Sequence, residues 1–153
     1  MHITHFTDLG LRVLMYLAIG QRNEPVTISE IAEQFHVSRN HLVKVVHRLG
    51  QLQWVATTRG KGGGLALAAP PHHYRLGTII RTLEECDSLV DCQQPPCVLF
   101  SGCTLKQVLD EALHLFYQQL DRYTLADVMK NQTATTISEL QRGTVVHWLQ
   151  AVG

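Results

Sequence analysis

The sequence predicts a mainly α-helical fold with one small β-hairpin and a long helix in its C-terminal half. Three observations lead to this prediction. Two short stretches with helical apolar spacing meet at a tight turn near residue 37, a glycine-rich turn separates two short apolar strands near residue 62, and apolar residues recur at helical spacing over residues 105–123. With 153 residues, 45% of them hydrophobic, the chain suffices for one domain with a buried core.

The N-terminal elements predict a helix-turn-helix unit. A first helix is expected over residues 6–21 with Thr7 as its N-cap, and a second, short one over residues 29–35. The stretch "HVS" then makes a turn, after which Ser38 caps a third helix that runs to about Leu49. Two short helices joined in this way are typical of DNA-binding proteins, in which the second of the pair enters the major groove.

The next segment, "WVATTRGKGGGLALAAP", indicates a hairpin. Strands are expected over residues 54–59 and 65–68, and "GKGGG" between them supplies the positive φ angles that a tight turn needs. A basic-tipped hairpin that directly follows a helix-turn-helix unit makes a winged helix. Arg59 and Lys61 at the tip favour a contact with DNA phosphate or with the minor groove, whereas the alternative is an ordinary surface turn.

The charge distribution favours an anionic partner, although the formal net charge is zero. No Asp or Glu occurs between Glu33 and Glu84, and that interval holds seven Lys or Arg residues together with five His. Composition alone leaves a solvated basic face as an equal alternative. The side chains expected to reach base edges or phosphates lie in the first turns of the recognition helix. They are Ser38, Arg39, Asn40, His41 and Lys44.

The C-terminal half predicts two further helices and a weakly patterned tail from residue 131. A short helix is expected over residues 76–85, and a long one over residues 104–129 with Thr104 as its N-cap. The apolar stripe of the long helix either covers the core or pairs with a second copy of the chain. Pairing is favoured because helix-turn-helix proteins commonly bind two half-sites as dimers. The stripe comprises Leu105, Val108, Leu109, Ala112, Leu115, Phe116, Leu120 and Tyr123.

All four cysteines fall within one short, loop-forming segment. Their spacing is Cys86-x5-Cys92-x4-Cys97-x5-Cys103, with two prolines and a glycine after Cys92. Zinc ribbons use tight C-x2-C pairs, which are absent, whereas a wider spacing lets a chain wrap around an iron–sulfur cluster held by thiolates. A zinc site, a redox disulfide switch and inert buried thiols are the alternatives at this point.

Other classes of function find no support in the residues. The sequence offers no catalytic triad, and "GKGGG" lacks the order of a phosphate-binding loop, so an enzyme is not expected. No window approaches the roughly 18 consecutive apolar residues that cross a bilayer, and the first helix lacks the basic start of a signal peptide. We therefore expect a cytoplasmic protein without a membrane partner, in a compartment where clustered cysteines more often bind metal or do redox work.

Five stretches, in order, resemble the NsrR group of repressors, relatives of the iron–sulfur regulator IscR, over about residues 1–130. They are "FTDLGLRVLMYLA", "VSRNHLVKVVHRL", "RGKGGGLAL", "LVDC" with the cysteines that follow it, and "LDRYTLADV". The resemblance implies a homodimer with one cluster per subunit, held by Cys92, Cys97 and Cys103 and by Asp8 from the partner subunit. The alternative role of Asp8 is a favourable interaction with the dipole of the first helix. Three thiolates and one oxygen ligand suit a 4Fe–4S cluster, and 2Fe–2S is the alternative.

The same resemblance implies a repressor that binds a palindromic operator while its cluster is intact. Nitric oxide would attack the cluster iron, release the operator and derepress genes for nitric oxide detoxification. IscR has a histidine three residues after its last cysteine, and Lys106 at the matching position argues against that ligand set. The alternatives are an IscR-like regulator that responds to cluster supply, iron or redox state, and a winged helix switched by zinc or thiols.

The expected organisation divides the chain into three parts. A winged helix-turn-helix region that binds DNA occupies residues 1–75, and a cluster-binding loop with a dimerisation helix occupies residues 76–130. Residues 131–153 form a tail with no assigned role. Cys86 lies outside the three-cysteine pattern and is interpreted as a spare thiol, the alternatives being a fourth ligand in some state and a resolving thiol after cluster loss.

Overall fold

The structure is a computed structural model that describes residues 2–20, 24–60 and 62–143. Its first three helices are α1 (His5–Ala18), α2 (Ile28–Gln34) and α3 (Arg39–Gln51). The predicted N-cap of α1 was wrong, because Thr4 accepts the capping hydrogen bond from the Thr7 amide at 3.2 Å and Thr7 itself is fully buried. Helix α1 therefore begins one residue earlier than predicted and ends at Ala18.

The turn between α2 and α3 works without glycine. His36 adopts φ 51°, in the left-handed region that usually favours glycine, and its amide donates to the Glu33 carbonyl at 3.2 Å. Ser38 occupies the N-cap of α3 as predicted, but its side chain accepts no capping hydrogen bond. The helix-turn-helix unit is thereby confirmed, with α3 as its recognition helix.

A two-stranded antiparallel hairpin, β1 (Val55–Thr57) and β2 (Leu65–Leu67), follows α3. The register pairs Val55 with Leu67 and Thr57 with Leu65. Gly60 at φ 98° closes the turn, as expected of glycine in a position that other residues rarely adopt. The strands are shorter than predicted, and β2 also pairs with Val26 ahead of α2, which attaches the wing to the helical head.

One apolar core unites the head with elements from the C-terminal half. It is centred on α1 and α3, and the next helix, α4 (Leu76–Glu84), closes one side. Its fully buried members include Leu9, Val13, Leu14, Tyr16, Ile31, Leu42, Val45, Leu49, Ile79 and Leu125. This core fixes how α3 is presented to solvent.

Helix α5 (Thr104–Leu120) packs on α4 around a second, smaller apolar cluster of Ile80, Leu113 and Tyr117. The two backbones approach so closely at Gly77 that a Cβ there would lie 2.2 Å from the Tyr117 carbonyl oxygen. Glycine is required at this crossing for that steric reason.

The predicted long helix was wrong in its length and in its N-cap. Cys103, not Thr104, is the N-cap of α5, which ends at Leu120. A separate short helix, α6 (Leu125–Val128), follows with Thr124 as its N-cap. Thr124 and Asp127 form a capping box, in which the side chain of each accepts a hydrogen bond from the backbone amide of the other. Leu125 is buried in the main core, and this burial turns the chain back onto the head.

The last described helix, α7 (Asn131–Gln141), packs against α1. Ile137 belongs to the main core, and the Gln141 side-chain amide donates to the Tyr16 carbonyl at 2.8 Å. The first part of the predicted tail is thus a packed helix, while residues 144–153 lie outside the described residues. In the described part of the chain, no helix combines the length and the apolar character that a membrane span requires.

Replacing Ile137 by alanine is expected to lower the free energy of unfolding by about 2–4 kcal/mol, because a buried aliphatic side chain leaves a cavity behind. Urea unfolding followed by circular dichroism measures it. Thr136→Ala, on the exposed side of α7, is the matched control and should stay within about 0.5 kcal/mol of the parent. Equal effects of the two variants would show that α7 adds nothing to the core.

Candidate functional site

The cysteine segment connects α4 to α5 and is built from short turns. The Asp91 carboxylate accepts hydrogen bonds from the amides of Gln93 and Gln94 at 2.8 and 3.3 Å, and the Cys97 amide donates to the Cys92 carbonyl at 3.0 Å. A single turn of 3-10 helix, Phe100–Gly102, then leads into α5. Local hydrogen bonds therefore fold the segment back on itself between Cys92 and Cys103.

Cys97 and Cys103 act electrostatically on the Cys92 thiol, and these three thiols are called the electrostatic group around Cys92. Partial burial raises the pKa of the Cys92 thiol, the neighbouring Cys97 and Cys103 and the Asp91 carboxylate raise it further, and the Lys106 ammonium acts in the opposite direction. Cys103 lies at the N-terminus of the 17-residue helix α5, where the helix dipole favours negative charge. All the cysteines are free and half-buried.

Cys86 has different surroundings. Its thiol donates to the Ser88 carbonyl at 3.2 Å, and its side chain packs against the second apolar cluster beside Phe116. The Tyr117 hydroxyl donates to the Cys86 carbonyl at 3.2 Å, which fixes the end of α4 against α5. These contacts support the interpretation of Cys86 as a structural or spare thiol.

Lys106 is unsuited to be a metal ligand, because its ammonium is paired with a carboxylate. Its ammonium is ion-paired with Asp110 one turn along α5 and donates to the Ser88 hydroxyl at 3.3 Å. The Asp110 hydrogen bond raises the pKa of Lys106, so the amine stays protonated and has no lone pair for a metal. Lys106 lines a surface cavity of about 420 Å³ together with Cys92, Asp91 and Phe100.

The chemistry of the donors fits an iron–sulfur cluster, although the side chains are not arranged for one as they stand. Within residues 2–20, 24–60 and 62–143, no three His, Cys, Asp or Glu side chains lie close enough together to hold a metal ion. Three free thiols on one segment, with a helix N-terminus and a lysine to offset their charge, form a donor set suited to iron. A cluster would need the thiols to converge and a fourth ligand to be added.

Asp8 lies in the first turn of α1 and is engaged by its own helix. Its two carboxylate oxygens lie 3.1 Å from Arg12 Nε and 2.9 Å from Arg12 Nη2, and His5 Nδ1 lies 3.9 Å away. The guanidinium of Arg12 also lies 5.9 Å from the centroid of the Phe35 ring, at the end of α2. The carboxylate is only one-third exposed, and its ligand role stays a prediction.

The predicted DNA-contacting side chains lie in the first turns of α3 and at its N-cap. All five of them, Ser38, Arg39, Asn40, His41 and Lys44, are exposed. Arg39 Nε donates to the Ser29 hydroxyl at 3.1 Å, which braces the start of α3 against α2. Arg59 is exposed on the wing, while Lys61 lies outside the described residues.

The structure divides the predicted apolar stripe of α5 between two faces. Leu113 and Tyr117 form the buried face, with Phe116 and Leu120 beside them, and the stripe named neither Leu113 nor Tyr117. Leu105, Val108 and Leu115 are 66%, 56% and 56% exposed. At about 100° per residue these three lie with Ala112 on one strip of the helix, at the three- and four-residue spacing of a helix-pairing seam. The helical spacing of the apolar residues could be seen in the sequence. Because the buried face and the exposed strip of α5 are both apolar, the sequence alone did not separate them.

Sequence analysis also missed the ends of α4. Glu84 and Glu85, directly ahead of Cys86, contact α1 and α3 through Thr4 and Arg48. No motif marks these residues, because their partners are about 80 and 37 positions away.

A helix-turn-helix unit with an exposed polar recognition face and a wing defines a winged-helix DNA-binding protein. The chain belongs to the Rrf2 family, described as iron-dependent transcriptional regulators, whose family pattern matches residues 3–131. It is therefore a transcriptional regulator.

Individual relatives agree with this assignment. The HTH-type transcriptional regulator NsrR of Bacillus subtilis (strain 168) is 43% identical over 135 residues, which cover 86% of this chain and 92% of the relative. Among solved structures, CymR (YrzC), the global cysteine regulator of B. subtilis, is 27% identical with a TM-score of 0.68, covering 84% of this chain and 95% of CymR. IscR of T. potens is 22% identical with a TM-score of 0.66, covering 99% of this chain and 96% of IscR. At this identity the likeness is one of fold alone.

Proposed function

We propose that two copies of this chain form a repressor of the NsrR type, in which an iron–sulfur cluster on each subunit senses nitric oxide. The observation that carries the proposal is the cysteine segment. Cys97 and Cys103 act electrostatically on Cys92, Cys92 lines a surface cavity, Cys103 is the N-cap of α5, and Cys86 has separate surroundings. The 43% identity to a regulator named NsrR supports the choice of signal.

The three thiolates would be the ligands from one subunit, and Asp8 of the partner subunit would be the fourth. Three sulfur ligands and one oxygen ligand favour 4Fe–4S over 2Fe–2S. When bound, the iron supplies the atom to which nitric oxide attaches. To become this fourth ligand, the Asp8 carboxylate must break its ion pair with Arg12 and bind the iron held by the thiolates of the other subunit.

The DNA-reading surface has two parts in each subunit. Ser38, Arg39, Asn40, His41 and Lys44 on α3 would reach base edges or phosphates in the major groove, and Arg59 and Lys61 on the wing would extend the footprint. Two copies of α3 must lie roughly 34–36 Å apart to read both halves of a palindrome. A small change in the arrangement of the subunits therefore releases both helices.

The test is operator binding measured by fluorescence anisotropy on a duplex enriched from a random-sequence library by the iron-loaded protein. Tight binding is expected before nitric oxide, and binding at least about tenfold weaker afterwards, because both half-sites are lost together. The matched control is the iron-free protein, whose weak binding should not change on adding nitric oxide. Binding that stays tight after nitric oxide has altered the visible spectrum would refute the proposed signal.

A further inference from the structure

The last turn of α4 is the point where the cysteine segment joins the DNA-reading head. Glu84 and Glu85 are the two residues before Cys86, and each contacts a different helix of the head. Tyr117 of α5 fixes the residue that follows this turn, because its hydroxyl donates a hydrogen bond to the Cys86 carbonyl. A displacement of the segment at Cys86 therefore reaches these two carboxylates first.

Glu84 fixes the start of α1. Its Oε1 accepts hydrogen bonds from the Thr4 amide at 2.7 Å and from the Thr4 hydroxyl at 2.9 Å. Partial burial acts to raise the pKa of Glu84, but hydrogen bonds from Thr7 and Thr4 outweigh it and the net shift is downward. Thr4 is the N-cap of α1, so Glu84 holds the turn that carries Asp8.

Glu85 fixes the recognition helix at its other end. Arg48, in the last turn of α3, donates from Nη2 to Glu85 Oε1 at 2.7 Å. Glu85 is also the C-cap of α4 at φ 49°, a left-handed conformation that a residue with a side chain adopts at a cost. A strained cap of this kind is a natural place for the helix end to rearrange.

We infer that Glu84 and Glu85 are positioning residues that couple the state of the cysteine segment to α1 and α3 within one subunit. The inference rests on the proposed function and adds a route within the subunit to the one through Asp8 of the partner subunit. When the segment moves, the α4 cap unwinds and both contacts are released, so that α1 and α3 lose their fixed orientation. Contacts transmit a signal only if they differ between two states, and these two join the moving segment to both helices.

The expected effect is modest for each contact. The Arg48 and Glu85 side chains are 36% and 70% exposed, and solvent screens such a pair. Replacing Glu84 or Glu85 by methionine is expected to reduce the nitric-oxide response, defined as operator affinity before nitric oxide divided by affinity after it, by about two- to fivefold. A role in folding alone would change both affinities equally and leave the response unchanged.

The experiment compares Glu84→Met and Glu85→Met with Asp87→Met, all in the full iron-loaded chain. Asp87 is exposed, and within the described residues its side chain makes no hydrogen bond or ion pair with α1 or α3. All three variants should match the wild type in iron content and visible spectrum, and only the first two should show the reduced response. An unchanged response in both Glu84→Met and Glu85→Met would overturn the inference.

Hydrogen exchange of the iron-loaded protein, before nitric oxide is added, gives a second readout that does not depend on sensing. Glu84→Met should speed exchange of the amides in the first turn of α1 severalfold, and Asp87→Met should leave them unchanged. Unchanged exchange in Glu84→Met would refute the fixing of α1. A wild type that failed to release DNA on nitric oxide would instead count against the proposed function, which separates the two failures.

Discussion

Replacing Cys97 by serine is expected to abolish iron retention while leaving the winged-helix head folded. A serine hydroxyl has nearly the same shape as the thiol, but it does not ionise near neutral pH and so cannot supply a thiolate ligand. Cys97 lies outside both apolar clusters, so its replacement removes no core packing. The visible absorption and the bound iron should fall to near zero, and the far-ultraviolet circular dichroism should not change.

Cys86→Ser is the matched control for this loss. Cys86 packs beside Phe116 and is not part of the electrostatic group around Cys92, so its variant should retain iron and absorption close to the wild type. Retention of the full chromophore by Cys97→Ser, or its complete loss from Cys86→Ser, would show that the ligand set is assigned to the wrong thiols.

Placing glutamates at Val108 and Leu115 is expected to separate the dimer and to weaken operator binding by on the order of a hundredfold or more. Both side chains are 56% exposed, and with Leu105 they form an apolar seam that the buried face of α5 does not use. If two copies paired along this seam, the introduced glutamates would lose their water next to the same glutamates of the second copy, which costs free energy. A single subunit binds only one half-site, so it also loses the gain in affinity, about 10²–10⁴-fold, that comes from binding two linked half-sites.

Sedimentation equilibrium measures the separation, and anisotropy on the selected duplex measures the binding. The double variant Gln107→Glu and Gln118→Glu is the matched control, because these exposed side chains lie on the polar face of α5 at about 100° per residue. The control should remain dimeric. A Val108→Glu and Leu115→Glu protein that stays dimeric would move the subunit interface away from α5.

Much of the head could be predicted from sequence, because its signals are local. The apolar period changes between α3 and β1, Ser38 marks the start of α3, and the glycines after Arg59 mark the turn of the hairpin. The mainly helical fold with one hairpin is confirmed. The wrong N-cap of α1 arose because two threonines, Thr4 and Thr7, are both candidates for that position.

The structure of the C-terminal half was harder to predict from sequence, because it depends on contacts between residues far apart in the chain. A continuous helical period hides the end of α5 at Leu120, and only the burial of Leu125 against Tyr74 and the head shows why the chain turns there. The contact of Glu84 with Thr4 has no sequence signal at all. The choice of Asp8 came from the resemblance, since an acidic residue in a first turn is ordinary for any helix.

The most direct test of the account is the visible absorption spectrum, with iron and sulfide analysis, of the protein purified without oxygen, before and after adding nitric oxide. The account predicts a brown protein that holds iron and inorganic sulfide in equal amounts on each subunit and whose absorption bleaches or shifts with nitric oxide. A colourless protein that cannot be loaded with iron and sulfide would contradict it, and so would a chromophore that nitric oxide leaves unchanged.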